Sequence, residues 1–154
     1  MKTLTKLSIL VLSLFISSVS FAALWSVTGT TQTAWVGTDH WGAGISNPGP
    51  TVDAFVYTMI EVPAGSGTWL NSAPILIDST QAATCKQLYL GYTGGGNAPK
   101  LTMTGGTLTA SGFLEIGRNG NNAEFDLQGG TVSGTYLKIA SINGKDAYFT
   151  MSGG

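Results

Sequence analysis

A glycine pair recurs along this chain with a fixed step: Gly105-Gly106, Gly129-Gly130 and Gly153-Gly154 stand 24 residues apart. A period of about 20 to 50 residues is the signature of a stacked repeat architecture. The neighbours repeat as well. Leu101-Thr102-Met103-Thr104-Gly105-Gly106-Thr107-Leu108-Thr109 aligns with Phe125-Asp126-Leu127-Gln128-Gly129-Gly130-Thr131-Val132-Ser133, and Phe149-Thr150-Met151-Ser152-Gly153-Gly154 begins a third copy. That copy stops with the chain, so continuation into missing C-terminal repeats is expected.

Each copy carries alternating apolar pairs: Leu101 with Met103, Phe125 with Leu127, Phe149 with Met151. A second set follows, Leu114 with Ile116 and Leu137 with Ile139, and a single apolar position, Leu108 or Val132, lies between the sets. Alternation with period two means a strand with one face buried. Three short strands per period, turned at glycine corners, predict an all-β, three-sided parallel β-helix. Upstream, Ile75 and Ile77 match Leu101 and Met103, Ala82 matches Leu108, Leu88 and Leu90 match Leu114 and Ile116, and Ser79-Thr80 replaces the glycine pair. The variable lengths fall in one loop, 91–99, 117–122 and 140–146, where Asn119-Gly120 and Asn143-Gly144 read as turns.

Stacking puts equivalent positions in columns. Tyr89, Glu115 and Lys138 form one outward column, Thr102, Asp126 and Thr150 another, Thr107 with Thr131 a third, and Thr109 with Ser133 a fourth. A solvated sheet face accounts for them. The sharper alternative, a flat threonine array that binds ice or crystalline polysaccharide, is disfavoured by the interrupting charges.

Residues 1–22 read as a signal peptide: Lys2 and Lys6, an apolar run from Leu7 to Phe15, then Ser20-Phe21-Ala22. Cleavage is expected after Ala22, with Ala23 second; an uncleaved anchor is the alternative. The run is too short for a comfortable span, so no transmembrane segment is expected after cleavage. Beyond Ala22, five basic side chains face eight acidic ones, a net charge of −3. That is not the clustered basic footprint nucleic acid requires, so no nucleic-acid partner is expected. Cys85 is the single cysteine and is expected to be a small buried or semi-buried residue; a disulfide partner past residue 154 is the alternative.

Residues 23–72 do not fit the period and hold all four tryptophans, Trp25, Trp35, Trp41 and Trp69. Ala54 to Val62 reads as a strand closed by Pro63, with turns at Asn47-Pro48-Gly49-Pro50 and Ala64-Gly65-Ser66-Gly67. An open repeat end needs a cover. The segment is therefore expected to be an aromatic-rich β cap preceding the repeats of 73–154. The functional alternative is a sugar-binding platform, with Trp35, Trp41 and Tyr89 as carbohydrate contacts.

No catalytic constellation is visible. His40 is the single histidine, and Asp39 beside it would point to the opposite face of a strand. One histidine without a cysteine cluster gives no zinc pattern. No nucleophile elbow, P-loop or dinucleotide fingerprint occurs, Gly94-Gly95-Gly96 is a flexible turn, and Gly117-Arg118-Asn119-Gly120-Asn121-Asn122 lacks the acid of a calcium nonapeptide. Glu115 and Asp126 are expected on different faces, which argues against a carboxylate pair. No cofactor and no metal are expected.

The stretch from Leu101 to Gly154, with Leu-Thr-Met-Thr-Gly-Gly-Thr-Leu-Thr, Leu-Glu-Ile-Gly and Phe-Asp-Leu-Gln-Gly-Gly-Thr-Val-Ser, resembles the β-strand repeats of autotransporter passengers. It is equally similar to repeats in large exported proteins of environmental bacteria, often those with a C-terminal sorting signal. The resemblance covers roughly residues 73–154. It implies a right-handed, pectin-lyase-like parallel β-helix, secreted or at the cell surface. The exact period, the signal peptide and the missing catalytic constellation lead to the expectation of a scaffold or adhesin-like stalk, with cell-surface or extracellular polysaccharide as the expected partner. The alternative to that role is the front part of a β-helix polysaccharide lyase, hydrolase or carbohydrate-binding protein whose site lies beyond residue 154.

Overall fold

The structure, a computed structural model, describes residues 22–42, 44–57, 59–61, 69–92, 98–118, 122–139 and 146–153. The leader before Ala22, the Ala64-Gly65-Ser66-Gly67 turn, Gly94-Gly95-Gly96, Asn119-Gly120 and Asn143-Gly144 lie outside the described residues, as does the Trp69 side chain. Every regular element among the described residues is a strand, and no helix there is long and apolar enough to cross a membrane.

In chain order the strands are β1 (Ala23–Leu24), β2 (Thr33–Ala34), β3 (Ala54–Val56), β4 (Met59–Glu61), β5 (Trp69–Asn71), β6 (Ile75–Ile77), β7 (Ala82–Cys85), β8 (Leu88–Leu90), β9 (Lys100–Ala110), β10 (Leu114–Ile116), β11 (Ala123–Ser133), β12 (Leu137–Ile139) and β13 (Ala147–Met151). Two parallel sheets take nearly all of them. The five-stranded sheet runs β1-β3-β8-β10-β12; the six-stranded one runs β13-β11-β9-β6-β2, with β7 also paired to β9. Among the described residues, β4 and β5 pair antiparallel in a small sheet of their own, and Thr28 and Ser72 form an isolated antiparallel bridge.

Repeat counterparts are hydrogen-bonded partners. Leu114 faces Leu88 and Leu137; Glu115 faces Tyr89 and Lys138; Phe125 faces Leu101 and Phe149; Asp126 faces Thr102 and Thr150. The inward members meet in one core with the buried rings of Trp25, Trp35, Trp41 and Phe125 and the chains of Ile75, Ile77, Leu88, Leu90, Leu101, Met103 and Ile116. Each buried aliphatic side chain contributes about 1.5–3 kcal/mol of transfer free energy before chain entropy is subtracted.

Four expectations change. First, the strands on either side of the glycine pair are continuous in β9 and β11, so a period holds two strands rather than three. The chain passes the pair at positive φ, 69° at Gly106 and 91° at Gly130, a region open to glycine because it has no Cβ. The buried phase slips by one there: Leu101 and Met103 are inward before it, Leu108 and Ala110 after it. Second, Ala83, not Ala82, faces Leu108. Four residues, 78–81, span the corner that three, 104–106, span in the next period.

Third, residues 23–72 are not separate from the repeat sheets. β1 and β3 extend the five-stranded sheet, Ala54 facing both Ala23 and Leu88, and β2 extends the six-stranded one, Thr33 facing Ile75. The strand expected from Ala54 divides into β3 and β4, which belong to different sheets. Fourth, the outward columns are not uniformly solvated. Tyr89, Thr102 and Glu115 are buried.

Candidate functional site

The outer side of the five-stranded sheet explains the burial of Tyr89 and Glu115. Strands β3, β8 and β10 are triplets whose ends point into the core and whose centres, Phe55, Tyr89 and Glu115, point away from it; β12 continues their register, with Lys138 beside Glu115 and with Leu137 and Ile139 exposed. Residues two positions to either side share that outward face. Before the centres these are Asp53, Gln87, Phe113 and Tyr136; after Phe55 comes Tyr57, and Tyr92 joins it from just past β8.

Six aromatic rings therefore gather on one face. Phe55 stacks on Tyr89 (centroids 4.5 Å apart, 5° between planes), Tyr57 on Tyr92 (5.8 Å, 23°) and Phe113 on Tyr136 (5.2 Å, 16°). Edge contacts of Tyr92 with Phe55 and Tyr89, and of Tyr89 with Phe113, join the pairs into one ladder. Parallel strands about 4.8 Å apart bring successive rings to stacking distance.

Two cations lie on the ladder. The Arg118 guanidinium sits 5.2 Å from the Tyr89 ring centre and 5.1 Å from that of Tyr92, and its Nη1 is 3.5 Å from Glu115 Oε2. The Lys138 ammonium sits 5.0 Å from the Phe113 ring and 5.4 Å from the Tyr136 ring. At the margin Lys86 Nζ lies 3.7 Å from Asp53 Oδ1. Burial raises the Tyr89 and Tyr57 hydroxyls above the ordinary phenol range, aided by Asp53 at Tyr89 and by Tyr92 at Tyr57, so both are neutral donors at physiological pH. The Tyr89 hydroxyl already donates to Gln87 Oε1.

The three sequence-proposed sugar contacts separate. Tyr89 belongs to the ladder. Trp35 and Trp41 are buried in the core, with ring centroids 4.4 Å apart, and neither offers a face to a ligand. Their indole N–H groups donate inward, Trp41 Nε1 to the Trp35 carbonyl at 2.8 Å and Trp35 Nε1 to Asn47 Oδ1 at 3.1 Å. Sequence reasoning missed Phe55, Tyr57, Tyr92, Phe113 and Tyr136. The available signal was an aromatic at or beside each outward position of the Ala-Phe-Val, Leu-Tyr-Leu, Leu-Glu-Ile and Leu-Lys-Ile triplets.

Other chemistry-bearing groups are committed internally. His40 packs its ring edgewise on Trp25 and brings Nδ1 within 2.9 Å of the Ala34 carbonyl. Cys85 is buried, and desolvation, with a smaller contribution from Asp53, pushes its thiol up to about 12. A shallow open groove of about 560 Å³ is lined by Asn47, Asp78, Thr80 and Gln81. Its polar atoms serve the fold: Asn47 Oδ1 accepts from Thr84 N, Gln81 Oε1 accepts from Val36 N, and Asp78 Oδ1 accepts from the Thr80 hydroxyl and N–H, which hold that carboxyl below its usual range. Glu115 and Asp126 stand in different sheets. Comparison of the chain with protein-family models, curated proteins and solved structures finds no match.

Proposed function

We propose that the chain is an exported β-solenoid, a three-sided parallel β-helix that serves as a scaffold or adhesin-like stalk at the cell surface or outside the cell. The observation that carries this reading is the register: equivalent positions of successive periods pair directly, strand on strand, in both sheets. In this reading the two parts of the long strand form two sides of each turn and the short triplet forms the third.

The glycine pairs support it. A Cβ on Gly130 would come 2.6 Å from both the Gly105 and the Gly106 carbonyl oxygens, so corners of successive periods approach too closely for a side chain. Such a body has length and repetition, which suits a spacer. The leader-like sequence before Ala23 supports export.

The test is to delete one period. Removing residues 101–124 joins Lys100 to Phe125 in the frame of the repeat. A solenoid loses one layer, stays folded, and shortens by about 4.8 Å along its axis in small-angle scattering. Collapse of the circular-dichroism signal in the deleted protein would reject the solenoid reading.

A further inference from the structure

We infer that the Ala22–Ala23 bond is the processing site of this chain, and that the amino terminus released there is a structural group, an α-ammonium held at the edge of the five-stranded sheet by Asp53. The inference rests on the export reading above. Exposure changes abruptly at this bond. Ala22 is exposed, whereas Ala23 is fully buried, faces Ala54 in register and donates its N–H to the Asp53 carbonyl at 2.8 Å. A cut after Ala23 would remove a core side chain and that hydrogen bond together. The leader pattern alone admits either alanine as its last residue; burial separates them.

The receiving group is the Asp53 side chain. Its Oδ1 is buried and accepts no hydrogen bond among the described residues; Lys86 Nζ, 3.7 Å away, is an ion-pair partner beyond hydrogen-bond reach. Buried acceptors ordinarily find a donor. Continuing the β1–β3 register back by one residue sets Ala22 against Asp53, so the chain that leaves the Ala23 nitrogen passes beside this carboxylate. Hydrolysis by an export-linked peptidase adds water across the bond: Ala22 departs with a carboxylate, and the Ala23 nitrogen becomes an ammonium with two more N–H donors. One N–H keeps the bond to the Asp53 carbonyl, and another is free to turn to Oδ1. The charge is not stranded in the core, because the position Ala22 leaves is open to water and the Asp53 side chain is 20% exposed. Lys86 and the neutral Tyr89 and Cys85 side chains are the other titratable groups that sense Asp53.

The test expresses the full chain, leader included, in an exporting bacterium and recovers the processed protein. Intact mass should give a start at Ala23. Competitive acetylation across a pH series then titrates the new amine, whose ordinary pKa is about 7.7–8.0. A carboxylate within about 4–6 Å raises the pKa of an ammonium by about one unit or more, whereas burial alone lowers it. Near pH 7 the amine of the folded protein should therefore be deprotonated about tenfold less often than that of the urea-unfolded chain. Asp53→Asn should lose this difference and Asp53→Glu should keep it. Lys86→Gln, which removes a competitor for the carboxylate, should not weaken it. Cooperative melting confirms that each variant is folded. A start at any residue but Ala23, or an amine that titrates alike in the parent and in Asp53→Asn, would overturn the inference. Precursor recovered unprocessed would sink the export reading with it, whereas a start at Ala23 with an ordinary amine would sink this inference alone.

Discussion

The first half of the described chain and the second half build the same two sheets by different means. Along the five-stranded sheet, successive strands begin 31 and 34 residues apart from Ala23 to Leu88, then 26 and 23 residues apart from Leu88 to Leu137. The later part holds its register through repetition: like residues stack on like, and glycine corners nest. The earlier part has no glycine pair, and side chains satisfy its irregular backbone. Trp25 Nε1 donates to the Ala73 carbonyl at 3.2 Å, Trp41 Nε1 to that of Trp35, and Asn47 bridges Trp35, Thr84 and the Ala82 carbonyl. Where a segment cannot pair its backbone by repetition, buried polar groups must find partners individually.

This contrast sets the order of mutational effects. Ile116→Asp should be the most damaging substitution. It places a carboxyl at a fully buried position, in register with Leu90 and Ile139, and costs several kcal/mol or forces protonation. In the irregular half the counterpart is Trp41→Ala, which removes a core ring in contact with Trp25 and Trp35 and should cost about 3–5 kcal/mol. Chemical denaturation measures both. If Trp41→Ala were nearly neutral, the tryptophans would not be what holds β1 and β2 in the sheets.

Asn47→Ala sharpens the same point at a smaller scale. The side chain closes a loop by accepting from Trp35 Nε1, Thr84 N and Thr84 Oγ1 and donating to Ala82 O. Its loss leaves buried donors without partners, for about 1–3 kcal/mol. Hydrogen exchange should report the damage at Trp35 and Thr84, with β10 to β12 unaffected. Equal loss of protection in β10 to β12 would mean the two halves unfold as one unit and that the distinction has no energetic content.

Legibility in the sequence follows the same divide. The columns Leu88–Leu114–Leu137 and Leu101–Phe125–Phe149 could be read from the chain because the spacing is nearly constant and the glycine pair marks the phase. The slip from Ala82 to Ala83 could not, since Ser79-Thr80 gives no sign that its corner holds one more residue. β1, and the pairing of β3 with β1 and β8, were hidden because stretches of about 30 residues with strands of their own separate these partners. The outward column of Tyr89, Glu115 and Lys138 was legible. The burial of Tyr89 and Glu115 within it was not, because Phe113 and Arg118 reach them from loop positions. Glu115→Thr, harmless at a solvated position, should instead cost about 1–3 kcal/mol by removing a buried carboxylate from Arg118.

The smallest effect belongs to the most visible polar contact of the regular half. Lys100 Nζ lies 2.6 Å from Glu124 Oε1, and the two residues face each other across β9 and β11. Both side chains are 38% exposed. Water and salt screen such a pair, and fixing two long side chains costs entropy, so its net contribution is about 0–1 kcal/mol. Lys100→Gln should shift thermal stability slightly, and the shift should vanish in about 1 M salt, where the screening length falls to about 3 Å. The register it spans is already set by Leu101 on Phe125 and Met103 on Leu127. A loss above about 2 kcal/mol that persists in high salt would mean that individual polar contacts hold the repeating half as they hold the irregular one, and the contrast between them would fail.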